Sequence, residues 1–248
     1  MIFVNSPIVN KGNEKKYLNE CIDTGFISSE GPFVKKFENE FLDFCDSKFG
    51  IAVCNGTAAL EVAFYAIGIE PGDEVITPSF TYIATTEVVA LLRLKPVFVE
   101  VDPITFCIDP AKLEKAITPK TKAIVPVHLY GQAAPMEEIL HIAKKHNLYV
   151  IEDNAQAIGC SYTFQDGTVK KTGTMGHIGA TSFYPSKNLG AFGDGGALFT
   201  NDDALAHTLK TIANHGQEKR YYHDIVGCNS RLDSIQAAIL NIKLKHLD

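Results

Sequence analysis

"KAIVPVHLYGQAAPMEEILHIAKKHNLYVIED", residues 122–153, carries the pattern that decides the fold. It opens on an apolar run, 122–129, and closes on another, 148–153, each of strand length. Between them, residues 134–147 have helical spacing, with Met136, Ile139, Leu140 and Ala143 on one face. Strand, helix and strand in that order predict parallel neighbours in a sheet covered on both faces.

The same alternation extends outward. "GIAVC" (50–54) reads as a buried strand, and "TAALEVAFYAIG" (57–68) as a helix ending at Gly68. Residues 73–78, 96–101, 180–184 and 196–200 read as further strands. The prediction is an α/β fold over roughly 50–200: one mostly parallel seven-stranded sheet with helices on both faces. The first ~50 residues read as helical, as in "FVKKFENEFLDFC" (33–45). From 202 the chain reads as helical again, broken by a polar loop near 214–230. The stretch 232–248, "LDSIQAAILNIKLKHLD", reads as an amphipathic helix that stops in mid-element, without a cap or glycine.

Composition narrows the function. Net charge is −6, and no Lys/Arg cluster stands out, which argues against nucleic acid as the main partner. Cys21, Cys45, Cys54, Cys107, Cys160 and Cys228 are scattered with no CxxC pair, as expected of buried thiols in a reducing compartment. There is no hydrophobic signal region, and no apolar run approaches the ~18 residues of a membrane span. The expectation is a cytoplasmic protein. No metal site is expected either: His141 and His146 lie five apart and no third ligand suggests itself.

In open α/β sheets ligands collect at the carboxyl ends of the strands, and three candidates sit there. In "NGTAAL" (55–60) a strand ends, Gly56 permits a tight turn, and Thr57 opens a helix. That is an ordinary helix cap or a phosphate site. In "VIEDNAQAIG" (150–159) a strand delivers Glu152 and Asp153. Asp153 either caps the next turn or faces a protonated ring nitrogen. His128 ends the preceding strand and reads as a packed histidine. Third, Lys187 follows an aromatic strand and precedes Gly190, Gly193, Gly195 and Gly196. It is a solvated charge or an amine in a shaped pocket, able to form a Schiff base. A phosphate cradle, a carboxylate for a pyridine nitrogen and a Schiff-base lysine together are what a pyridoxal phosphate site needs. On that reading the glycines make room for cofactor and substrate.

The chain resembles the DegT/DnrJ/EryC1/StrS sugar aminotransferases, of fold type I among pyridoxal phosphate enzymes. The resemblance runs in order through "GFISSEGPFVKKFENEF", "NGTAAL", "PGDEVITPSFTYIATTEVV", "ITPKTKAIVPVHLYG", "VIEDNAQAIG", "SFYPSKNLGAFGDGGALFTND" and "HGQEKRYYHDIVGCNSRLDSIQAAIL". It implies that Lys187 holds pyridoxal 5'-phosphate, that Asp153 partners the pyridine nitrogen, and that Gln156 meets the ring oxygen. Gly56, Thr57, Ala58 and Ser182 would receive the phosphate, and Tyr82 would stack on the ring. Asn229 would reach the phosphate in the neighbouring subunit of a homodimer with shared sites. Arg231 and Tyr222 are candidates for substrate contact. The implied reaction moves an amino group from glutamate to a keto group of a nucleotide-linked sugar. The glycine loop resembles most those members that aminate C3, and Lys187 argues against the dehydratase branch, which carries histidine there.

Family members continue past this chain's end into a small C-terminal domain. The whole of 1–248 therefore reads as the cofactor-binding large domain, with 232–248 starting the helix towards that further domain. Two other functions stay open at this point. One is a cofactor-binding but non-catalytic, regulatory fragment. The other is a nucleotide-binding α/β protein, weakened by the lack of a GxGxxG after a strand.

Overall fold

The structure, a computed structural model, describes residues 12–247. Its strands are β1 (Phe49–Val53), β2 (Glu74–Pro78), β3 (Lys95–Val99), β4 (Thr121–Ile124), β5 (Tyr149–Asp153), β6 (Ser161–Thr163), β7 (Val169–Lys171), β8 (Ile178–Ser182), β9 (Gly196–Thr200), β10 (Gln217–Lys219) and β11 (Tyr222–His223). The helices are α1 (Glu14–Thr24), α2 (Pro32–Cys45), α3 (Gly56–Ala66), α4 (Ala84–Leu91), α5 (Pro110–Leu113), α6 (Met136–His146), α7 (Asp203–Ala213) and α8 (Ser234–Lys243).

Seven strands make one sheet in the order β1-β9-β8-β5-β4-β2-β3. The pairs β2–β3, β2–β4, β4–β5 and β5–β8 are parallel, while β9 runs antiparallel to β8 and β1. Mostly parallel is therefore correct, and β9 is the reversed strand. Alternate residues enter opposite layers, as the pleat demands. Ile51, Val75, Ala123, Ile151, Ile178 and Leu198 share one core with α3 and α7. On the other face Ala52, Ala197 and Phe199 pack with α2 and α8, and Ile76, Ile124 and Val150 with α6. Phe41 lies 5.2 Å from Phe183 and 5.1 Å from Phe199 between ring centroids, which ties α2 to the sheet.

Strand boundaries depart from the sequence reading in three places, one of them the run at 96–101, whose strand is Lys95–Val99. The run at 122–129 leaves the ladder after Ile124, because Pro126 has no N–H to donate; Val127 still bridges to Asp153. The strand read at 180–184 spans Ile178–Ser182 instead and ends ahead of Pro185. The polar loop near 214–230 contains the hairpin β10–β11, and a second hairpin, β6–β7, was not foreseen. Residues 1–11 of the expected helical N-terminal segment lie outside the described residues. Cys21, Cys45 and Cys107 are buried, and burial pushes the Cys45 thiol up to about 12. No helix among the described residues is long and apolar enough to cross a membrane.

Candidate active site

A cavity of about 610 Å³ opens at the carboxyl ends of β4, β5 and β8 and at the start of α3. Asn55 leaves β1 in extended conformation, and its side chain accepts the Ala58 N–H at 2.8 Å, capping α3. Gly56 and Thr57 line the cavity. A Cβ on Gly56 would stand 2.8 Å from Ser182 Cβ, so only glycine lets the helix start reach β8. Ser182 lines the cavity from the other side, and its hydroxyl accepts the Tyr184 N–H at 3.2 Å. Ala58 is not on the cavity wall, and its N–H is already given to Asn55.

β5 delivers its two carboxylates to opposite sides, again through the pleat. Asp153 faces the cavity. Its Oδ2 accepts the Thr85 hydroxyl at 2.8 Å, and its Oδ1 the Ala155 N–H at 3.2 Å. Glu152, fully buried, turns away. Its Oε2 accepts from His128 Nε2 and the Gly173 N–H, both at 2.8 Å; its Oε1 accepts the Met175 and Gly176 N–H groups at 2.7 and 2.5 Å. His128 Nδ1 accepts the Ala134 N–H at 3.0 Å, so the ring proton sits on Nε2 and is donated to Glu152. The packed reading of His128 holds.

Lys187 follows Pro185 in a turn closed by its own N–H on the Tyr184 carbonyl at 2.8 Å. Its side chain lines the cavity, and no ion pair found among the described residues includes it. Burial lowers its pKa, and the charge of Asp153 pulls the other way. The glycines behind it do not make room for a ligand. A Cβ on Gly190 would meet the Pro185 carbonyl oxygen at 2.4 Å, and one on Gly193 the Gln236 side chain at 2.8 Å. One on Gly196 would meet Asn55 C at 2.5 Å. They let the loop fold against the protein itself. α8 completes the packing: Gln236 accepts the Phe192 N–H at 2.9 Å, and Lys243 donates to the Gly190 carbonyl at 2.5 Å.

Gln156 lines the cavity, and its Oε1 accepts the Tyr130 N–H at 2.8 Å. That leaves its two amide hydrogens for a ligand. Tyr130 adopts φ 55°, a left-handed value uncommon for a bulky residue, to present that N–H. Tyr82 is on the wall but 73% exposed. Asn229, Arg231 and Tyr222 are not brought to this cavity. Asn229 accepts from Arg231 Nε at 3.0 Å, and both line a separate cavity of about 360 Å³ with Ser28, Ser29 and Glu30. Tyr222 stands on the exposed hairpin. The sequence reading missed Asn55, Thr81, Thr85 and Asp194; only Asn55, a cap residue between strand and helix, carried a signal that could have found it.

Residues 9–248 match the DegT/DnrJ/EryC1/StrS aminotransferase family. The chain belongs to this family. It is 54% identical over 215 residues to the UDP-2-acetamido-2-deoxy-3-oxo-D-glucuronate aminotransferase of Pseudomonas aeruginosa, covering 87% of this chain and 58% of the relative. It is 53% identical over 218 residues to a Geobacillus stearothermophilus protein named pleiotropic regulatory protein, covering 88% and 57%. The crystal structure of Streptomyces venezuelae DesV, 43% identical, matches with a TM-score of 0.90 over 95% of this chain and 62% of that one. NtdA from Bacillus subtilis with bound cofactor PMP, 37% identical, matches with a TM-score of 0.87 over 95% and 52%. The chain thus spans under two thirds of the length of these family members.

Proposed function

We propose that this chain is the cofactor-bearing part of a pyridoxal-phosphate-dependent nucleotide-sugar aminotransferase. The observation that carries the reading is that Lys187 and Asp153, an amine and a buried carboxylate, line one cavity at the start of a helix. The residues present fit the cofactor. The α3 start offers N–H dipoles and the Thr57 hydroxyl to a phosphate, and Ser182 adds a second hydroxyl. The Gln156 amide is oriented to donate to a ring oxygen, and Tyr82 is placed to cover a ring face. When bound, pyridoxal phosphate supplies a ring that accepts electrons from the substrate carbon.

Asp153 would hold a proton on the pyridine nitrogen, with its carboxylate fixed by Thr85 and Ala155. Lys187 Nζ, biased towards the neutral amine by burial, would take the proton from the substrate carbon and deliver it to the cofactor carbon. Glutamate is the proposed amino donor and a nucleotide-linked keto sugar the acceptor. Position C3 is favoured by the glycine loop and by the 3-oxo sugar in the Pseudomonas relative's name. Asn229, Arg231 and Tyr222, away from this cavity, are assigned to the neighbouring subunit's site in a homodimer. A second, regulatory reading draws on the Geobacillus relative's name.

The test is the absorbance spectrum of the purified chain with pyridoxal phosphate, beside a Lys187→Ala control. Borohydride reduction and peptide mapping follow. A visible band that becomes fixed to Lys187 supports the reading; no band from the folded wild-type chain overturns it. Amino exchange with glutamate then separates the enzyme from the regulator.

A further inference from the structure

Asp153 is held by a chain of hydroxyls with a defined direction. Thr85 is fully buried, and its Oγ1 lies 2.8 Å from Asp153 Oδ2. A threonine hydroxyl has one hydrogen, and the carboxylate can only accept it. That hydrogen is therefore committed to Asp153. The 2.9 Å contact between Thr81 Oγ1 and Thr85 Oγ1 must then be donated by Thr81. The order is fixed as Thr81 to Thr85 to Asp153. Thr81 lines the cavity, Thr85 sits in the first turn of α4, and Tyr82 lies between them in sequence. The same two bonds thus dock the Tyr82 segment and aim the carboxylate.

We infer that Thr85 is a positioning residue for Asp153, with Thr81 acting through it. The inference rests on the pyridoxal phosphate reading. A buried hydroxyl on a carboxylate is a charge-assisted bond, and losing it releases one carboxylate oxygen from its aim. Aim matters because a displaced group loses its partner even when its chemistry is intact.

The experiment measures the dissociation constant of pyridoxal 5'-phosphate and the pH titration of the bound chromophore for five proteins: wild type, Thr85→Val, Thr85→Ser, Thr81→Val and the Thr81→Val/Thr85→Val pair. Thr85→Val keeps the shape and should weaken binding about tenfold or more and shift the titration. Thr85→Ser keeps the hydroxyl and should restore both. Thr81→Val should weaken binding less, and should add nothing once Thr85 is valine. A merely structural role predicts additive losses and an unmoved titration, and would overturn the inference. So would wild-type binding in Thr85→Val. If the folded wild-type chain itself binds no pyridoxal phosphate, the cofactor reading falls first and this inference with it; the wild-type arm keeps the two failures apart.

Discussion

Burying the Lys187 side chain penalises its ammonium form, which lowers its pKa against the pull of Asp153. A lysine whose folded pKa lies below its unfolded one costs stability wherever it is charged in both states. The cost fades as pH rises from the folded value to the ordinary lysine range. Lys187→Met should therefore raise the melting temperature of the cofactor-free protein near neutral pH. That gain should shrink as pH approaches about 10; a pH series of thermal melts checks it. Glu152 is a buried carboxylate that meets four donors. Glu152→Gln turns an amide N–H2 onto groups that can only donate, and should cost about 3 kcal/mol or more in urea unfolding. The sequence marked Asp153 because it ends a strand, and Lys187 because it sits between an aromatic strand and a run of glycines. The strand pattern alone does not separate Asp153 from Glu152, since adjacent strand residues differ only in the face they take; the family resemblance did. Thr85 was illegible for another reason: its partner is 68 residues away.

Among the elements, the α3 start does most to shape the site. The Asn55 cap occupies the Ala58 N–H, so the ends of Gly56 and Thr57 meet the cavity instead. Asn55→Ala should lower stability by about 1 kcal/mol, read from the urea midpoint. Pyridoxal phosphate affinity should fall as well, because Asn55 itself lines the cavity beside Gly56 and Thr57. Element type was legible here, since apolar runs and helical spacing report burial. Strand direction was not. β9 is as apolar as its parallel neighbours, and its reversal comes with the loop 183–195, which returns the chain beside β8 without a crossover helix. That loop was misread for a related reason. A glycine shows that a side chain is excluded, and only the packed structure shows that Pro185, Gln236 and Asn55 are what exclude it.

At the scale of the whole molecule, one cavity gathers Gly56, Thr57, Tyr82, Asp153, Gln156, Ser182 and Lys187, and leaves Asn229, Arg231 and Tyr222 outside. The β10–β11 hairpin and the segment after it expose Tyr221, Tyr222 and Val226, at 77, 62 and 93%. Apolar side chains presented together in this way suit an interface better than water. A two-fold dimer that lends this loop to its partner's cavity gives those residues a use, because an isologous contact supplies the same patch twice. The family resemblance already implies such an assembly, and we propose it because the fold leaves Asn229, Arg231 and Tyr222 off the Lys187 cavity. Lys187→Ala and Asn229→Ala proteins, each alone, should then be defective in glutamate-dependent amino transfer. Mixed by co-expression, they should recover about a quarter of the wild-type sites, because each hybrid dimer holds one intact site and one doubly altered site. Recovery measured on the affinity-purified hybrid would place Asn229 across the interface. A hybrid as inactive as its parents would return Asn229 to the chain that carries it.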